Sequence, residues 1–154
     1  MNAVQSEAEN SSVAFTIIGF PCNQFGMQEP GANKTELLNL ARYVRPGNNY
    51  QPNFPWFGPL DVNGVNEHPL FTYLKDICPP YQKNLGDRSD LFWDPVQSGD
   101  VTWNFEKYLI DTSGVPLARF APIVTVRQIY EGYIVPNKQM MKKNRHANVK
   151  SVSY

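Results

Sequence analysis

Few groups in this chain could do covalent chemistry. It has two cysteines, Cys22 and Cys78, and two histidines, His68 and His146. Two cysteines are too few for a disulfide framework, and two histidines are too few for most zinc sites, so no metal centre is expected. One stretch places polar side chains where a site could form: Gly19-Phe20-Pro21-Cys22-Asn23-Gln24-Phe25-Gly26-Met27-Gln28-Glu29-Pro30. The β-branched and aromatic run Val13-Ala14-Phe15-Thr16-Ile17-Ile18 precedes it, and the helix start Asn33-Lys34-Thr35-Glu36 follows it. A strand that empties into a Gly/Pro-rich loop and then a helix stands its loop side chains at the carboxyl edge of a sheet, where α/β proteins place chemistry. Gln28 is the polar group of that loop expected to contribute.

The elements that must position such a loop follow from periodicity. Residues 2–9 carry only Ala3, Val4 and Ala8 as apolar positions, a weak helix signal. Residues 13–19 read as a buried strand and 20–32 as loop. Leu37, Leu40, Ala41 and Val44 recur at helical spacing and predict a helix over 33–44. Asn33 followed by Glu36 resembles a capping box, and Arg45-Pro46-Gly47 stops the helix. Residues 45–66 are irregular and hold Tyr50, Phe54, Trp56 and Phe57, aromatics that need burial against the body or another subunit. Asp61-Val62-Asn63-Gly64 is a turn signal. Pro69 suits the first position of a second helix reaching about Ile77, with Leu70, Leu74 and Ile77 on one face. After a loop over 79–100, two runs (101–110 and 117–121) flank Asp111-Thr112-Ser113-Gly114 and predict an antiparallel hairpin. Residues 124–135 predict a closing helix, and 136–154 a solvated basic tail. The order is an α/β layered pattern.

The bulk properties narrow the class. A length of 154 residues suits one domain with a sizeable core. Lys+Arg and Asp+Glu each count 14, so nothing points to a nucleic-acid partner. No stretch approaches the roughly 20 apolar residues of a membrane helix. The first twelve residues have neither the basic nor the apolar segment of a signal peptide, so the chain as written would start in the cytosol. Asn10-Ser11-Ser12 and Asn33-Lys34-Thr35 fit the N-glycosylation pattern, a slight pull the other way.

Two blocks carry a family resemblance. The loop from Gly19 to Gly26 with Gln28-Glu29-Pro30, and Trp103-Asn104-Phe105-Glu106-Lys107-Tyr108-Leu109, resemble signatures of the glutathione peroxidases. Tyr43-Val44-Arg45-Pro46-Gly47, Pro52-Asn53-Phe54 and Asp61-Val62-Asn63-Gly64 are similar to the long, tetrameric form. The segment from Cys78-Pro79-Pro80 to Leu91-Phe92-Trp93-Asp94-Pro95 looks closest to the secreted, plasma-type branch. The resemblance runs to about Ile134. It implies an α/β, thioredoxin-like fold over 1–135, three-layered α/β/α. It also implies reduction of hydrogen peroxide and organic hydroperoxides by a selenocysteine or cysteine. Glutathione or another thiol is the co-substrate, with no prosthetic cofactor, and the complete form would be a homotetramer. The family's site adds Gln, Trp and Asn to the nucleophile, and Gln28, Trp103 and Asn104 match them. An indole N–H and amide N–H groups converging on a selenolate or thiolate stabilise the anion and lower its pKa. Arg45 and, more weakly, Arg119 are candidates for pairing with glutathione carboxylates; Arg45 serves equally well as a helix C-terminal charge.

The nucleophile itself is expected upstream of Met1. Met1-Asn2-Ala3-Val4-Gln5 resembles the middle of the helix that follows it in the family, about two or three turns on. The first strand and the nucleophile loop would then be lacking. A selenocysteine codon read as a stop, with translation assigned from the next methionine, would produce this; the transcript upstream of Met1 tests it. The strand at 13–19 would lack a neighbour, and the chain alone is expected to be poorly stable and inactive. Cys22 is the tempting substitute nucleophile, but a small buried strand-end residue is the expected reading. Cys78 at a helix end reads as structural, and His68 as a helix-start residue. The rival functional class is a non-catalytic chain that acts only by association with full-length subunits.

Overall fold

The computed structural model describes residues 1–81 and 85–137 of the 154. Its elements are helices α1 (Asn2–Asn10), α2 (Lys34–Tyr43) and α3 (Pro69–Ile77), strands β1 (Lys107–Ile110) and β2 (Pro116–Phe120), and helix α4 (Val126–Ile129). A short 3-10 turn lies at Arg88–Asp90. The described residues gather into two compact units. One holds Met1–Ile17, Pro52–Phe54 and the chain from Val124 on; the other holds Ile18–Gln51 and Pro55–Ile123. The expected basic tail lies outside the described residues from Lys138 onward.

In the first unit, α1 buries Val4, Gln5 and Ala8. Val4 and Ala8 stand four residues apart on one helix face, and that face packs with Tyr130. Phe15 sets its ring 5.4 Å from that of Tyr130. Thr125 opens α4 with a full capping box: its hydroxyl accepts from Gln128 N at 3.2 Å, and Gln128 Oε1 accepts from Thr125 N at 2.8 Å. The helix widens into a π turn over Tyr130–Ile134, so the expected closing helix is present with a change of winding.

The run over 13–18 corrects an expectation. It is not a strand; only Gly19 bridges, in parallel, to Trp56. Val13 N–H donates to Ala8 O at 2.9 Å and Ile17 N–H to Gln5 Oε1 at 3.0 Å, where a ladder partner would otherwise stand. β-branched composition favours extended backbone, but a strand also needs a neighbour. Gly19 is required at its bridge, because a Cβ there would lie 2.7 Å from Trp56 Cδ1.

In the second unit, Asn33 Oδ1 caps α2 by accepting from Glu36 N at 3.1 Å, and Leu37 and Ala41 bury the inner face. His68 Nδ1 caps α3 by accepting from Leu70 N at 3.2 Å, with Pro69 at the first position and Phe71 and Leu74 buried. Those two join Cys22, Phe25, Val62, Leu91, Trp93 and Val101 in the core. β1 and β2 pair antiparallel, Tyr108 opposite Arg119, with a register shift after Leu109. The expected first strand of this hairpin begins six residues late: Val101–Glu106 form a turn, with Phe105 at φ +62°. Within the expected aromatic loop, Phe57 stacks on Phe20 at 4.9 Å in this unit and Phe54 is buried in the other.

Candidate functional site

Gln28, Trp103 and Asn104 all fall in the second unit. The loop carrying Gln28 is pinned along its length. Gly19 N–H donates to Pro55 O and Leu60 N–H to Pro21 O. Phe92 N–H donates to Gln24 O at 2.9 Å, and Gly26 N–H to Asp90 O at 2.8 Å. Asn23 Oδ1 accepts from Glu29 N at 3.0 Å and closes the loop around Gln28. Gly26 at φ +60° and Met27 at φ +50° make the sharp reversal that presents Gln28 at the surface. Left-handed backbone suits the glycine and strains the methionine.

Trp103 and Asn104 sit on the turn between Val101 and β1. Trp103 is half-buried against the core, its ring 5.8 Å from that of Phe25. Asn104 Nδ2 donates to Gln28 Oε1 at 3.2 Å, across 76 residues of sequence. This bond fixes the amides' sense. Gln28 accepts through its oxygen, so its NH₂ faces away from Asn104 and remains a donor, and Asn104 keeps a second N–H. With the indole N–H of Trp103 next to Asn104 in sequence, the set is rich in donors, the chemistry that holds an anion. Two exposed apolar residues, Met27 and Phe105, adjoin the amide pair in sequence.

A buried carboxylate shapes this turn. Glu106 Oε2 accepts from Thr102 N at 2.9 Å and from Thr102 Oγ1 at 2.8 Å. Its Oε1 pairs with Arg119 Nε, both side chains being 1% exposed. Arg119 also donates to Gly99 O at 3.0 Å and Asp100 O at 2.6 Å, and its guanidinium lies 5.4 Å from the Tyr108 ring centroid. Arg119 is therefore an interior brace of the segment before Trp103, not a group open to a ligand carboxylate. Nothing local in the sequence announces its partner 13 residues earlier.

Arg45 is exposed. Its charge acts on Glu29, next to Gln28: burial pushes the Glu29 carboxyl up, and Arg45 pulls it partly back. Cys22 is buried in the core, its thiol pushed up chiefly by desolvation, and its Sγ lies 3.5 Å from Gln24 Oε1. A buried thiol with a raised pKa is a poor nucleophile. Cys78 is buried at the end of α3. No group of three or more potential metal ligands occurs among the described residues. An open recess of about 400 Å³ over α2, lined by Pro30, Leu40, Tyr43 and Val44 among others, does not include the amide pair.

Solved structures resemble this architecture. The crystal structure of T. cruzi GPX1 superposes with a TM-score of 0.55 at 26% identity, covering 88% of this chain and 66% of that one. Trgpx in its apo form gives 0.52 at 26% identity, covering 86% and 65%. The fold class is α/β and thioredoxin-like. A family model described as glutathione peroxidase matches residues 1–75. Glutathione peroxidase 6 of Mus musculus is 49% identical over 127 residues, 82% of this chain and 56% of the relative. Glutathione peroxidase 3 of Bos taurus is 46% identical over 129 residues, 84% and 56%. The cuticular glutathione peroxidase of Wuchereria bancrofti is 51% identical over 115 residues, 73% and 51%. Over the residues these matches cover, the chain is similar to the glutathione peroxidase family. It spans about half the length of these curated relatives. No helix among the described residues is long and apolar enough to cross a membrane.

Proposed function

We propose that this chain supplies the amide and indole wall of a peroxidase site that reduces hydrogen peroxide and organic hydroperoxides at the expense of glutathione or another thiol. The observation that carries the reading is the Asn104 to Gln28 hydrogen bond. It joins two segments 76 residues apart into one donor surface beside Trp103. A selenolate or thiolate held there attacks the distal peroxide oxygen. The O–O bond breaks, water or alcohol leaves with a proton, and a selenenic or sulfenic acid remains. Two thiols then return the nucleophile to its reduced form and leave as a disulfide, with one molecule of water. Gln28, Trp103 and Asn104 keep the nucleophile ionised and aimed; Arg45, beside Glu29, favours the approach of a thiol that bears carboxylates. Cys22 stays out of the reaction.

The test supplies, in frame ahead of Met1, a first strand and thiol-bearing loop of the family type, and follows glutathione-dependent hydroperoxide reduction. A hydrogen bond to a charged group contributes about 1.5–3 kcal/mol, so Gln28→Ala and Asn104→Ala should each lower kcat/KM by about ten- to a hundredfold. Cys22→Ser should leave turnover intact. Full activity in both amide variants would remove the reading. Assembly as a homotetramer and secretion belong to the same proposal and rest on the resemblance to the long, plasma-type branch; light scattering of the extended polypeptide tests the first.

A further inference from the structure

The two segments that meet at the amide pair are also joined beneath it, through two buried side-chain amides that the peroxidase reading does not use. Gln24 is 6% exposed and Asn63 is 1% exposed. Gln24 Oε1 accepts from Val62 N at 3.0 Å and Asn63 N at 3.1 Å, and Gln24 Nε2 donates to Asn63 O at 2.9 Å. Asn63 repeats the arrangement on the next segment. Its Oδ1 accepts from Val101 N at 2.8 Å, and its Nδ2 donates to Val101 O at 2.9 Å. Each side chain thus pairs both backbone groups of a single residue, as a strand neighbour would. Gln24 lies four residues before Gln28, and Val101 three residues before Asn104.

We propose that Gln24 and Asn63 are positioning residues: a relay of buried amides, Gln24 to Asn63 to Val101, that sets the spacing between the Gln28 loop and the Trp103–Asn104 turn. The proposal deepens the peroxidase reading and rests on it for the meaning of the spacing, though not for the spacing itself. An apolar pair of the same volume would fill the core equally well. It would leave the N–H and C=O groups of Asn63 and Val101 without partners in a dry interior, where such groups need them. Among the described residues no buried side-chain polar atom lacks a partner. The relay is anchored at its far end as well: Lys75 Nζ reaches Asn63 Oδ1 at 3.4 Å and Asp100 Oδ1 at 3.0 Å, and Asp100 Oδ2 accepts from Trp93 Nε1 at 2.8 Å. A change in either amide therefore moves the register of one catalytic segment against the other, because among the described residues no strand ladder joins the two segments.

Gln24→Glu and Asn63→Asp keep shape and remove one donor each. In nitrogen–proton spectra of the labelled 154-residue chain, both should move the side-chain NH₂ signals of Gln28 and Asn104 and the Trp103 indole signal. Phe71→Leu is the control. It loosens the same core but supplies none of the relay's hydrogen bonds, so it should lower the thermal midpoint and leave those signals in place. Unmoved signals in both relay variants, or equal movement in the control, would overturn the proposal. Should the relay variants not fold, hydrogen exchange of the unaltered chain decides. The Val62, Asn63 and Val101 amides should exchange at least about a hundredfold more slowly than the hairpin-turn amide of Gly114; equal rates would overturn it. Neither readout needs turnover. Active amide variants of Gln28 and Asn104 would sink the peroxidase reading and leave the relay standing, and unmoved spectra would do the reverse.

Discussion

A guanidinium and a carboxylate buried together have each given up their water, and what matters energetically is what happens when one is removed. Arg119 answers Glu106 and three backbone carbonyls at once. Arg119→Met would leave the Glu106 carboxylate in the interior with only Thr102 and the Tyr108 hydroxyl. Breaking a buried pair in this way costs about 3–5 kcal/mol. Urea unfolding of the chain should show that loss, and Arg119→Met with Glu106→Gln should cost less than the two single changes summed, because the stranded charge is gone. A loss for Arg119→Met no larger than that of a surface substitution would refute the brace. The same residues show what sequence conceals at this scale. Gln28 and Asn104 could be nominated from their signatures, but the hydrogen bond between them could not. The burial of Arg119 is equally illegible, because residue type gives charge and not burial. The roles of Gln24 and Asn63 are hidden because an amide in a loop looks like any turn residue until its partners, 38 or 39 residues away, are known.

At the scale of the element, local rules carried furthest where the element is stabilised locally. α2 and α3 lie within a residue of their expected bounds, since each couples an apolar face to a capping group written in the adjacent sequence. Asn33 supplies the α2 cap, and its Nδ2 also meets Glu36 Oε1 at 2.9 Å. Asn33→Ala should therefore destabilise the chain by about 1 kcal/mol, while Asn33→Ser or Asn33→Asp should restore most of the loss. Circular dichroism followed through denaturation checks it, and equal stability of the alanine variant would contradict the capping role. Strands fared worse for a physical reason. The runs over 13–19 and 101–106 have strand-like composition, yet neither finds a ladder. The first donates to a helix carbonyl and a glutamine side chain, and the second is held by Asn63 and Glu106. Pattern alone measures willingness to extend; pairing is decided by what lies alongside.

For the whole molecule the consequence is one of stability. Hydrophobic burial in each unit rests on a modest cluster, and Ile18, at the end of the extended run, is 47% exposed. An extended β-branched run without a ladder is a template for another strand. Supplying one in frame ahead of Met1, as in the activity test, should occupy it. Amide exchange over 13–18 should then slow in an alternating pattern, because a strand offers every second N–H to a given neighbour. The thermal midpoint should rise by about 2–4 °C for each kcal/mol gained in a chain of this size. The 154-residue chain alone should show hydroperoxide reduction near the uncatalysed background, since its only thiol beside the motif is buried and protonated. Two outcomes would contradict this account. Unchanged exchange over 13–18 in the extended polypeptide would mean that the run needs no neighbour. Turnover by the shorter chain, abolished by Cys22→Ser, would mean that the buried thiol opens to substrate.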